Sequence, residues 1–165
     1  MVNKNILSLS IILLILIILL RKMNLTINDI ILKYKDVVNY FSSYYAIPKE
    51  RIFAHIIAES YGDPLAIGDT NLPYGQRSIG LMQIRQVALD DFNKVYGKKY
   101  TLNDLTTPSI NIEVGTGYLK ILLSRYKNLD SASKAYNAGS KIDSIKANEY
   151  LTKIKMYEKI VKEKL

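Results

Sequence analysis

Apolar residues fall along this chain in two rhythms. From Ile6 to Leu20 the run ILSLSIILLILIILL carries no charge and is apolar on every side. From Met23 onward, hydrophobic positions recur every three or four residues with polar residues between them, the period of a helix with one buried face. Ile27, Ile30, Ile31, Tyr34, Val37, Val38 and Phe41 mark a first helix, and Thr26 or Asn28 can cap it. The stretch SSYYAIPKE interrupts this helix. Pro48 suits the first position of a second helix, which runs to about Ser60 and is stopped by Gly62, Asp63 and Pro64. LAIGDTNLPYGQ, from Leu65 to Gln76, reads as loop, and SIGLMQI, from Ser78 to Ile84, starts either a strand or a buried turn. The pattern predicts further helices over about 85–96, 109–126, 131–137 and 148–164, with GKKYTLNDLTTP as a connection. No run of strands and no internal repeat is visible. The expected class is mainly α: a globular helical domain with a loop-rich centre, preceded by a hydrophobic segment.

That segment stands apart from the fold. Its length matches a signal-peptide core and falls short of the ~20 residues of an average spanning helix. No small-x-small cleavage site follows, since the run ends in LLRKMN, and Lys4, Arg21 and Lys22 can snorkel at its ends. Residues 1–23 are therefore read as a signal peptide or an uncleaved membrane anchor, and 24–165 as one folded, exported domain. Positive charge on both flanks leaves the orientation weakly specified.

Composition narrows the chemistry. The chain has 165 residues, no cysteine and one histidine, His55. A disulfide framework, a thiolate metal site and a His-rich metal site are thus all excluded. The formal net charge of +8 favours an anionic partner. Lys and Arg are scattered and form no dense block, so nucleic acid is not the expected partner.

Within the second helix, Glu59 sits on the same stripe as Ile52 and Ile56. A carboxylate on an apolar face is desolvated, which disfavours its charged form, raises its pKa and suits it to general-acid work. The plainer alternative is a helix-end Glu paired with His55 one turn earlier. In SIGLMQI, Gly80 permits close backbone approach and Gln83 offers an uncharged donor and acceptor set, suited to an acetamido group or a sugar hydroxyl. In KAYNAGS, Tyr136 and Asn137 stand just before Gly139, at a helix mouth. NEYLTKI contributes Tyr150, by default a core tyrosine.

Taken in order, these stretches resemble the soluble lytic transglycosylases, peptidoglycan-cleaving enzymes with a lysozyme-like fold. The family's Glu-Ser pair matches Glu59-Ser60, followed by YGDPLA. Its Gly-Leu-Met-Gln motif matches Gly80 to Gln83, with Ser78 two places before. An Asn-x-x-x-Gly-x-x-Tyr-Leu helix matches Asn111, Gly115, Tyr118 and Leu119, and Ala-Tyr-Asn-Ala-Gly matches Ala135 to Gly139. A late motif is matched only in part, by Glu149, Tyr150 and Leu151. The loop from Ile67 to Arg77 is longer and more polar than the shortest family versions, and His55 stands where such helices are often apolar.

The resemblance implies a lysozyme-like domain with a loop-rich active-site cleft that acts on peptidoglycan glycan strands. Glu59 would be acid and then base. Ser60, Ser78, Gln83 and Asn137 would be polar contacts to the sugars, with Gly80 in the same turn. Met82 and Tyr136 would line the cleft, and Tyr150 would position Glu59. Asp63 is expected to shape its turn, and Asp69 to lie in the variable loop. The usual glycosidase routes need two carboxylates. The family's route needs one, because the sugar's own C6 hydroxyl attacks C1 and leaves a 1,6-anhydro product. Neither metal nor cofactor is called for. The expected protein is a monomer facing the cell wall, membrane-anchored or free in the periplasm or outside the cell. Two alternatives stay open: a hydrolytic muramidase resembling goose-type lysozyme, and a non-catalytic wall-binding component of a secretion or phage assembly.

Overall fold

The computed structural model describes residues 26–165. The anchor or signal reading of residues 6–20 lies outside the described residues. Among the described residues, no helix is long and apolar enough to cross a membrane.

The described residues form six α-helices and a two-stranded hairpin: α1 (Ile27–Tyr45), α2 (Lys49–Ser60), β1 (Ile67–Gly68), β2 (Ser78–Ile79), α3 (Gln86–Tyr96), α4 (Pro108–Tyr126), α5 (Leu129–Ala138) and α6 (Ile145–Lys162). Thr26, not Asn28, caps α1. Its hydroxyl accepts from the Asp29 N–H, and the Thr26 N–H in turn donates to the Asp29 carboxylate, a reciprocal capping box. Pro48 occupies the cap position itself, one residue before the helix, with φ −54° and ψ 132°. Two later helices begin sooner than the hydrophobic pattern predicts, because polar caps precede the apolar positions. Asn128 accepts from the Ser131 N–H to start α5 at Leu129, and Ser144 accepts from the Ala147 N–H to start α6 at Ile145.

The largest departure from the sequence reading concerns α2. Every residue from Arg51 to Ile57 is buried, so α2 is a central rod and not a surface helix with one apolar stripe. It packs against α1 and, most extensively, α6. Ala54, Tyr150 and Ile154 form one small cluster on that seam, while Ile52, Phe53, Ile56 and Ile57 belong to the main core with Ile30, Val38, Leu81, Met82 and Phe92. At its end α2 breaks at Tyr61 (φ 53°) and Gly62 (φ 80°), and the chain turns into the hairpin.

SIGLMQI is both strand and turn. β2 pairs antiparallel with β1, with Ile67 opposite Ile79 and Gly68 opposite Ser78. Ile79 then bridges to Ile84 through two 3.0 Å backbone bonds, closing a tight turn over residues 80–83. Gly80 stands there at φ +78°, where a Cβ would come within 2.5 Å of the Leu105 carbonyl oxygen; only glycine fits. Asn111, fully buried on α4, holds the turn from beneath. Its Nδ2 donates to the carbonyls of Ile79 (2.9 Å) and Leu105 (2.8 Å), and its Oδ1 accepts from the Met82 N–H (2.8 Å).

Candidate active site

A cleft of about 500 Å³ opens where the C-terminal end of α2, the hairpin and the end of α5 converge. Glu59, Asp69, Ser78, Gln83, Arg85 and Tyr136 are among its lining residues. Glu59 is half-buried at the tip of the central helix. Its Oε1 accepts a 2.5 Å bond from the Tyr150 hydroxyl of α6. Burial pushes its carboxyl above the ordinary glutamate value of 4.5. The Tyr150 hydrogen bond and the positive charges of Lys153 and Arg85 oppose that rise to a smaller extent. A carboxyl so placed keeps its proton nearer neutrality and can deliver it to a group bound in the cleft.

His55 does not pair directly with Glu59. It is fully buried, with Nδ1 3.0 Å from the Tyr150 hydroxyl and Nε2 3.1 Å from Ser133 Oγ. Desolvation, helped by the nearby Arg51 charge, lowers its pKa to about 3, so the ring is neutral and exerts no charge on Glu59. The ring of Tyr136 meets it edge-on at 4.8 Å, and the Tyr136 hydroxyl donates to the Met82 carbonyl at 2.9 Å.

A family model described as the transglycosylase SLT domain matches residues 36–157. The chain belongs to the transglycosylase SLT domain family. A curated relative, the membrane-bound lytic murein transglycosylase E of Buchnera aphidicola subsp. Baizongia pistaciae, is 32% identical over 142 residues, covering 77% of this chain and 63% of the relative. The chain thus spans less than two thirds of that relative's length. Among solved structures, an inactive mutant of the lytic transglycosylase Slt from Pseudomonas aeruginosa superposes with a TM-score of 0.71 at 20% identity, over 82% of this chain and 25% of that one. The 70 kDa soluble lytic transglycosylase of Escherichia coli gives 0.58 at 24% identity, over 75% of this chain and 19% of that one. These likenesses carry the mainly helical, lysozyme-like fold.

In this SLT domain, Glu59, Ser78, Gln83, Tyr136 and Asn137 line one cleft. Asn137 is exposed there. Gln83 is largely committed to its own loop: its Nε2 donates to the carbonyls of Ala66 (3.1 Å) and Gly80 (2.9 Å), and its Oε1 accepts from Ser78 Oγ (2.8 Å). Tyr150 lies beneath Glu59 and does not line the cleft. Three expected substrate contacts are placed elsewhere. Met82 is fully buried, pressed against Gly115 of α4, and reaches the site only through its backbone. Gly80 is taken up by the turn. Ser60 spends its hydroxyl on the Leu81 carbonyl at 2.8 Å and accepts from the Gly62 N–H, tying the end of α2 to the hairpin turn.

Asp63 does shape its turn, accepting from the Leu65 N–H at 2.9 Å. The sequence reading missed the cleft-lining roles of Asp69, Arg85, Tyr118 and Lys146. Asp69 is a second carboxylate on the cleft wall. Its Oδ2 makes a 2.7 Å ion pair with Arg85 and lies 3.2 Å from Ser78 Oγ, whose one proton it shares with Gln83 Oε1. The available signal was an acid two residues after the strand residue Ile67 and nine before Ser78, with Arg85 following. Nothing local to the loop reveals that the hairpin folds it over the cleft.

Proposed function

We propose that this domain is a peptidoglycan lytic transglycosylase, cleaving the β-1,4 bond between N-acetylmuramic acid and N-acetylglucosamine and leaving a 1,6-anhydro-N-acetylmuramic acid end. The observation that carries this reading is the half-buried Glu59 at the tip of the central helix, opening on a cleft and backed by the Tyr150 hydroxyl. Family membership and the name of the curated relative support the same substrate class.

In this mechanism the neutral carboxyl of Glu59 gives its proton to the glycosidic oxygen as the C1–O bond breaks. The sugar's acetamido oxygen can stabilise the positive charge developing at C1. Glu59, now a carboxylate, takes the proton of the C6 hydroxyl, and that oxygen closes on C1. Ring closure is intramolecular and gains from high effective molarity, so no water is consumed. Tyr150 positions Glu59. Ser78, Gln83 and Asn137 are the polar wall, and the Tyr136 ring borders the sugar. The basic surface suits an anionic wall polymer. Residues 1–23 deliver the domain across a membrane or hold it there, and the folded part works as a monomer facing the wall. Clearing of a purified peptidoglycan suspension tests the reading: the native chain is expected to clear it and Glu59→Gln is not, and equal clearing by both removes Glu59 from the chemistry.

A hydrolytic muramidase is the second reading, favoured by one observation, the presence of Asp69 on the same cleft wall. Its Arg85 ion pair and Ser78 contact make it better suited to bracing the hairpin than to activating water.

A further inference from the structure

Behind Glu59 a file of polar side chains runs into the core. At its inner end Arg51 of α2, 4% exposed, forks onto the Glu158 carboxylate of α6 (3.1 and 2.9 Å) and reaches Asp130 of α5 at 3.0 Å. Its Nη1 donates to Ser133 Oγ at 2.9 Å. Ser133 Oγ lies 3.1 Å from His55 Nε2, and His55 Nδ1 lies 3.0 Å from the Tyr150 hydroxyl, which meets Glu59.

Donor counting yields one set of directions that satisfies every group in this file. A guanidinium has no acceptor, so Ser133 accepts from Arg51. Among the described residues, the Ser133 hydroxyl then has one acceptor in reach, His55 Nε2. A bare Nε2 satisfies that hydroxyl, and in a neutral imidazole the hydrogen then sits on Nδ1. Nδ1–H donates to the Tyr150 oxygen. The single Tyr150 proton is left to Glu59 Oε1. With the opposite tautomer, Nδ1 would compete for that proton and Tyr150 would divide it between His55 and Glu59.

We propose that His55, backed by Ser133 and Arg51, is a positioning residue that aims the Tyr150 hydroxyl at Glu59 Oε1 and so reserves Oε2 for the acid proton that faces the glycan. The catalytic part rests on the reading of Glu59 as the acid; the tautomer does not.

His55 is the sole histidine, so its ring-nitrogen NMR signals need no assignment. At neutral pH the expected spectrum has a protonated, pyrrole-type Nδ1 and a bare, pyridine-type Nε2. An Nε2–H tautomer or an imidazolium overturns the proposal. Ser133→Ala is expected to mix the two tautomers, and an unchanged spectrum removes Ser133 from the file. In kinetics, His55→Asn keeps an N–H near the Nδ1 position and is expected to retain most of kcat. His55→Phe keeps the ring shape alone and is expected to lose about tenfold in kcat, the worth of one ordinary hydrogen bond, with KM unchanged. Equal kcat in the two variants contradicts the positioning role. A native chain that cleaves no glycan refutes the proposed function, while the spectrum still decides the tautomer.

Discussion

The Tyr150 hydroxyl meets Glu59 Oε1 at 2.5 Å across 91 positions of sequence, joining the last helix to the cleft end of the central one. Two opposed effects meet at this contact. Burial favours the neutral carboxyl, whereas a donor on its oxygen favours the carboxylate. The proposed mechanism, in which an acid next acts as a base, needs both: enough burial to hold its proton, and enough support to release it.

Tyr150→Phe separates the two effects. Without the phenol the lowering contribution is gone, so the Glu59 pKa rises further. The high-pH limb of the kcat profile, where the acid form is lost, is expected to move to higher pH. Loss of the anchoring bond is expected to lower kcat by about tenfold. Paired pH–rate profiles check this, and a limb that moves to lower pH contradicts it.

The same elevated pKa carries a stability cost with a definite sign. A carboxyl whose folded pKa lies above its unfolded value of 4.5 binds more protons in the folded state. Stability therefore falls as pH rises from 4.5 through the folded pKa, and the cost is fully present above that. Glu59→Gln keeps an oxygen for Tyr150 and sheds the charge. It is expected to melt higher than the native chain at neutral pH, with the difference fading as pH falls toward 4.5. His55 acts in the opposite sense. Its folded pKa of about 3 lies below the ordinary 6.5, so its contribution is present above 6.5 and is lost as pH falls from 6.5 toward 3. Thermal melts of both proteins across that range check the signs, and a Glu59→Gln variant less stable at neutral pH contradicts the burial argument.

Asp69→Asn distinguishes the two readings of the cleft. A carboxylate that activates water costs ~10²-fold or more in rate when removed. As a brace for the hairpin through Arg85 and Ser78, Asp69 is expected to cost less than about tenfold, felt mainly in KM. Initial rates on purified glycan strands decide, and a fall of the larger size favours hydrolysis.

The sequence reading placed all six helices, because each carries its own apolar period and its own polar cap or breaker. Glu59, Ser78, Gln83, Tyr136 and Asn137 are drawn toward one site by the resemblance of their short motifs, taken in order, to the lytic transglycosylases. What escaped the sequence reading depends on partners far away in the chain. Pattern alone makes α2 amphipathic, whereas α1, α6 and the main core together bury it from Arg51 to Ile57. Met82 looked like a cleft residue until Gly115 on α4 gave it a socket inside the core. In sequence His55 is only a departure from an apolar position, because its partners are remote: Ser133 lies 78 positions away and Tyr150 95. Asp69 stands in a loop whose place on the cleft wall depends on a pairing of only two residues per strand, too short to signal itself in sequence.

The most direct measurement of the central claim is mass spectrometry of peptidoglycan fragments released in heavy-oxygen water. If Glu59 protonates the leaving oxygen and then draws the proton from the C6 hydroxyl, the fragments end in 1,6-anhydro-muramic acid, carry no solvent oxygen, and are absent with Glu59→Gln. Reducing ends labelled by the solvent, or cleavage that survives the substitution, would contradict the account.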